Sequence, residues 1–121
     1  DFTYIDDIVA AIIALIDKPA EKDDSWTGMA PDPASSYAPY SIYNLGNGCP
    51  EKLMDFIAAL EAELGKKAVI NPLPIQPGDV PMTAANIERM QQKHDYQPKT
   101  SIEQGVRHFI SWYKQYSLEM A

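Results

Sequence analysis

The chain opens Asp1-Phe2-Thr3-Tyr4-Ile5-Asp6-Asp7-Ile8-Val9, and this stretch decides how the rest is read. It is already inside a patterned segment. Ile8, Val9, Ile12, Ile13, Leu15 and Ile16 recur at helical spacing, which predicts a helix over Asp6–Asp17. The apolar face is wide, so the helix is expected to be buried on more than one side. Asp6 and Asp7 suit the positive N-terminal end of that helix, and Pro19 ends it. The chain starts without Met, directly at a helix. It therefore reads as part of a larger protein.

Beyond this helix, Lys18–Tyr40 holds Pro19, Pro31, Pro33, Pro39 and Gly28 without periodicity, and reads as a loop. Trp26 and Met29 are the side chains expected to tack it to the body. Ser41–Leu45 reads as a short strand, and Gly46-Asn47-Gly48 as a turn. Pro50 is placed as the first residue of a helix whose stripe is Leu53, Phe56, Ile57, Leu60 and Leu64, with Gly65 as its stop. Ala68–Leu73 alternates like a strand and ends at Pro72. Pro74–Pro81 is a rigid loop. A helix capped by Thr83 is expected to run to about Lys93, and Thr100-Ser101-Ile102-Glu103 reads as the capping box of the last helix. The sum is an α/β fold of four helices and two short strands. Two strands do not make a stable sheet, so these want a larger sheet to lie against.

The composition narrows the function classes. With 121 residues the chain fits one domain or part of one, and its net charge of −7 argues against nucleic-acid or anionic-membrane binding through bulk charge. No run approaches a membrane span. A single cysteine, Cys49, cannot close an internal disulfide, and cytoplasm is the expected location.

Few residues are poised for chemistry. His94 and His108 read as solvated helical histidines, and Cys49 as a small residue before a helix. Adjacent pairs such as Asp6-Asp7 and Asp23-Asp24 point about 100° apart on a helix and do not chelate together. The first reads as a helix start and the second as a solvated loop. Gly46-Asn47-Gly48 has the strand–turn–helix order that anions favour, but neither the G-x-G-x-x-G spacing nor a Walker lysine. Gln76-Pro77-Gly78-Asp79 is more pointed. Pro77 and Gly78 fix a loop, Asp79 offers a carboxylate to sugar hydroxyls, and Gln76 offers both a donor and an acceptor. The alternative is a stiff turn with Asp79 capping something local.

Taken in order, Asp1–Val9, Tyr43-Asn44-Leu45-Gly46-Asn47, Gln76-Pro77-Gly78-Asp79-Val80-Pro81 and Tyr96-Gln97-Pro98-Lys99-Thr100 resemble the nucleotide-sugar epimerases, which are extended short-chain dehydrogenases/reductases. The nearest branch is the UDP-glucuronate 4-epimerases, with Ile75 where that branch carries Met. The UDP-galactose branch carries Arg where Gln76 stands. Ala85-Asn86-Ile87 also departs from a more usual Ala-Asp-hydrophobic run.

The resemblance implies the C-terminal, substrate-binding part of a Rossmann-type fold, mostly helical with a few short strands and lacking its N-terminal Rossmann part. It implies that NAD is bound by that missing part, that Gln76 and Asp79 contact a UDP-sugar, and that the catalytic Tyr-x-x-x-Lys set lies outside this chain. The parent reaction would pass hydride from sugar C4 to NAD and back to the other face. A chain of this kind is expected to be inactive alone and to self-associate through its exposed packing surface. Two other readings fit the same residues: a dehydratase or decarboxylase of the same family, and a stand-alone acidic helical interaction module.

Overall fold

A computed structural model describes residues 1–119. It contains four helices: α1 (Ile5–Asp17), α2 (Leu53–Leu64), α3 (Glu88–His94) and α4 (Ile102–Glu119). Long connections between them carry little regular structure. The largest helix pairing is α2 against α4, and α1 packs on α3.

The two expected strands do not form. Ser41–Leu45 and Ala68–Leu73 belong to no ladder, and the described residues hold only the isolated bridges Thr27↔Ala30 and Ser35↔Ser41. The alternating pattern at Ala68–Leu73 is genuine, but a strand exists only through a neighbour that takes its backbone groups. No backbone–backbone hydrogen bond joins Ala68–Leu73 to another described segment. The described residues are therefore mostly helical, as expected, but without the few short strands of the expected α/β fold.

The helix starts also differ from the expectation. α2 begins at Leu53 rather than at Pro50, its first amide bonds going to the Lys52 carbonyl, from Asp55 at 3.0 Å and Phe56 at 3.2 Å. Gly65 does end α2, at φ 66°, in the left-handed region that glycine enters without penalty. α3 begins at Glu88, not at Thr83. The Asn86 side-chain oxygen accepts from the Glu88 amide at 3.0 Å, so Asn86 does the capping while residues 83–85 are held elsewhere. The capping box of α4 is shifted by one residue. The Ser101 hydroxyl accepts from the Gln104 amide at 3.3 Å, and the Gln104 side chain accepts from the Ser101 amide at 3.4 Å.

The core is small. Ala11, Ile87, Met90 and Tyr96 form one buried cluster, with Leu15, Tyr43, Leu45 and Ala85 packed around it. It joins α1, α3 and the two segments that flank them. α1 is not enclosed as its wide apolar stripe suggested: only Ala11 is buried, while Ile5 is 62% and Ile16 73% exposed. α3 covers one side, and no sheet layer among the described residues covers the other.

The Lys18–Tyr40 loop is held by charge rather than by the side chains expected to tack it down. Met29 is 96% exposed, and Trp26 packs on Tyr37 within the loop at 5.6 Å. The tie to the body is Arg89 of α3, which donates to the Ala34 carbonyl and the Asp32 carboxylate. Within the loop Asp23 accepts from Ser25 and Ser35 hydroxyls at 2.6 and 2.8 Å. Asp23 is thus an organising group of the loop, not only a solvated one. These hydroxyls, and more weakly Arg89, hold its carboxyl below the usual carboxylate range.

Candidate functional site

Gln76 and Asp79 form the ends of one tight turn. The Asp79 amide donates to the Gln76 carbonyl at 3.1 Å, and Gly78 sits at φ 93°. Pro at the second position and a left-handed Gly at the third is the pairing a type II turn requires. A Cβ on Gly78 would meet open space, so its conformation, not crowding, calls for glycine there. Both Gln76 and Asp79 are exposed. Their side chains are brought to one turn, two intervening residues apart, and are open to a ligand.

Neighbouring elements fix the ends of the arc that carries this turn. At the upstream end Glu61 of α2 accepts from the Ala68 amide at 2.8 Å and from Lys67 Nζ at 2.6 Å. The Lys67 ammonium, then the Ala68 amide, holds the Glu61 carboxyl below its ordinary value. At the downstream end the Asp1 carboxylate accepts from the Ala85 amide at 2.7 Å. The same carboxylate accepts from the Asn47 amide at 2.9 Å and the Gly48 amide at 3.0 Å. The Asn47 and Gly48 amides of this turn are thereby occupied by an internal carboxylate. They are not left to cradle a phosphate.

This junction leaves no room for a side chain at Gly46, where a Cβ would stand 2.5 Å from the Ala85 Cβ. Beneath it, the buried Tyr96 hydroxyl donates to the Gly46 carbonyl at 2.9 Å. Burial first, and the Asp7 carboxylate second, push the Tyr96 phenol up. A tyrosine acting as a base needs the opposite shift, so Tyr96 is a structural donor. Asp7 has a second task that its place at a helix start did not announce. It accepts from the Lys99 and Thr100 amides at 3.2 and 3.1 Å and so sets the entry to α4.

The remaining candidates stay apart from the turn. His94 lies edge-on to Tyr43 at 4.9 Å, with its Nδ1 buried and unpartnered, so it is not the solvated histidine expected. It lines a cleft of about 700 Å³ with Lys18, Asp23, Tyr43, Arg89 and Lys93, to which residues 74–82 contribute nothing. His108 stacks edge-on to Tyr4 at 5.5 Å, and Cys49 is exposed. An apolar groove of about 360 Å³ runs between Phe2, Tyr4, Phe56, Ile102 and Phe109. Among the described residues no group of three or more His, Cys, Asp or Glu is placed to hold a metal. No helix among them is long and apolar enough to cross a membrane.

NAD needs a glycine-rich strand–helix turn whose free amides meet the pyrophosphate. The one glycine turn before a helix has its Asn47 and Gly48 amides committed to Asp1, and no strand leads into it. The described residues do not fit NAD.

No protein-family model matches the chain. Curated relatives do. It is 51% identical over 116 residues to Protein CapI of Staphylococcus aureus, covering 96% of this chain and 35% of that protein. It is 40% identical over 116 residues to a probable UDP-glucuronate 4-epimerase of Rhizobium meliloti, covering 95% and 34%. UDP-glucuronate 4-epimerase 4 of Arabidopsis thaliana is 39% identical over 117 residues, covering 96% and 26%. The resemblance read from the four motifs thus holds. Nearly the whole chain is similar to UDP-glucuronate 4-epimerases, and it spans only about a quarter to a third of their length.

Proposed function

We infer that this chain is the C-terminal, substrate-gripping part of an NAD-dependent nucleotide-sugar epimerase acting on UDP-glucuronate. The observation that carries the reading is identity of 39–40% to UDP-glucuronate 4-epimerases along nearly the whole chain. The Gln76–Asp79 turn supports it by presenting an acceptor-only carboxylate and a bifunctional amide together on an exposed rigid bend. Asp79 accepts from hydroxyls of the UDP-sugar, and Gln76 pairs with its polar edge. Gln76 adds no charge where an arginine would pair with phosphate, so the grip rests on hydrogen bonds.

NAD belongs to the part of the longer protein outside this chain, in a cytoplasmic enzyme. When bound it supplies the hydride acceptor and donor. This chain's own residues hold the nucleotide end while the sugar is free to turn. The isolated 121-residue chain should therefore show no heat of NAD binding in a calorimetric titration and leave UDP-glucuronate unchanged. The longer protein should interconvert UDP-glucuronate and its C4 epimer. NAD binding by the isolated chain at the affinity of the longer protein would sink this division of labour.

The exposed stripe of α1 has a consequence for the isolated chain. Ile5, Ile12, Ile13 and Ile16 leave a contiguous apolar face, and such faces drive association. Sedimentation equilibrium on the isolated chain should show mass rising with concentration. Replacing Ile12 and Ile16 by Gln should return it to a monomer. A wild-type monomer at millimolar concentration would refute the expectation.

A further inference from the structure

Every residue of the arc 69–82 is exposed, and the one backbone hydrogen bond within it closes the Gln76–Asp79 turn. Nothing inside the arc fixes where that turn stands. Its position comes from its two ends. The upstream end rests on Glu61, whose partner Lys67 is 88% exposed and open to competition from water. The downstream end rests on Asp1, and this attachment is of a different kind.

The Asp1 carboxylate gathers amides from two separate segments, Asn47 and Gly48 on one and Ala85 on the other. The Gly46–Gly48 side is in turn tied to the core by the buried Tyr96 hydroxyl. Three converging N–H groups require a group that only accepts, and an ionised carboxylate is that group. Asparagine in the same place would turn an NH2 toward at least one of those donors. Close approach is also built in, since any Cβ at Gly46 would strike Ala85.

We propose that Asp1 is the positioning residue of the Gln76–Asp79 turn: its carboxylate clasps the 83–85 segment to the core-anchored 46–48 turn and so sets where the gripping side chains meet the UDP-sugar. This rests on the proposed function for the identity of the ligand, but not for the clasp. Both Asp1 carboxylate oxygens are taken up by backbone amides. The effect of Asp1 should appear in substrate affinity and not in the chemical step.

Two measurements test it. In the first, backbone 15N order parameters are measured on this chain, wild type and Asp1→Asn. Gly78 and Asp79 should lose order in the variant, while α2 and α4 keep theirs and amide exchange at Gly48 and Ala85 rises by about tenfold. In the second, the longer protein is assayed with UDP-glucuronate. Asp1→Asn should raise KM by about tenfold with kcat within about twofold of wild type, the split expected for lost positioning. Gly46→Ala opens the same clasp by driving a Cβ against Ala85; it should move both readouts the same way, and it serves if Asp1→Asn does not fold. Unchanged order at Gly78 and Asp79, or an unchanged KM beside faster exchange at Ala85, overturns the proposal. If the wild-type longer protein binds no UDP-sugar, the functional reading fails by itself, and the order parameters alone decide whether Asp1 positions the turn.

Discussion

Met90→Ala is expected to destabilise the chain by about 2–5 kcal/mol, the usual range for emptying a buried Met site. Met90 is 0% exposed and sits in the cluster with Ala11, Ile87 and Tyr96. No other side chain among the described residues is as large and as fully enclosed. Natural domains are stable by only about 5–15 kcal/mol, so the loss is a large share of the total. For a chain of this size the melting midpoint should fall by roughly 10 °C or more. Met90→Leu keeps volume and should cost under about 1.5 kcal/mol. Met29→Ala is the surface control, at 96% exposure, and should leave the midpoint within the ordinary surface range of about 0.5 kcal/mol. Thermal unfolding followed by circular dichroism compares all three. A Met90→Ala midpoint equal to that of Met29→Ala would mean that the cluster is not what holds α1, α3 and the flanking segments together.

That cluster marks where reading from the sequence ran out. Helices α1, α2 and α4 follow from apolar spacing, and Gly65 follows from the need for a left-handed residue at a helix end. These are local signals. The two strands failed because a strand depends on a partner that local pattern does not specify. α3 starts late because Ala85 is drawn to the Asp1 carboxylate, more than eighty positions away in sequence. The same holds for Asp7 on Lys99 and Thr100, and for Arg89 on Asp32 and Ala34. Each is an ordinary charged residue in sequence and an organising one in space. A carboxylate that collects distant amides leaves no periodicity behind. The Gln76–Asp79 turn was legible because Pro and Gly restrict their own backbone, whatever lies around them. The resemblance in four motifs reached further than either, since it reflects the folded protein and not the local segment.

The turn itself offers the sharper test of function. In the longer protein Asp79→Asn keeps the shape of the side chain, removes its charge and puts an NH2 donor where an acceptor oxygen stood. Hydrogen bonds to a charged group contribute about 1.5–3 kcal/mol. Since about 1.4 kcal/mol is a factor of ten, the affinity for UDP-glucuronate should fall by roughly tenfold to a hundredfold. NAD content should not change if, as proposed, the cofactor is held by another part of the protein. Stability should barely move, since Asp79 is exposed and the bond closing the turn uses its backbone amide, which Asn retains. A bracing role makes the reverse forecast. If the carboxylate stiffens the arc, Asp79→Asn should lower the melting midpoint and leave the Michaelis constant of the surviving enzyme alone. Gln76→Ala separates the two further. It removes a ligand contact but not the carbonyl that closes the turn, so under the gripping role it also weakens binding without destabilising the fold. Both quantities are read on the same preparations, by calorimetric titration of UDP-glucuronate and by thermal unfolding. Lost stability with unchanged affinity in Asp79→Asn would remove Asp79 from the binding site.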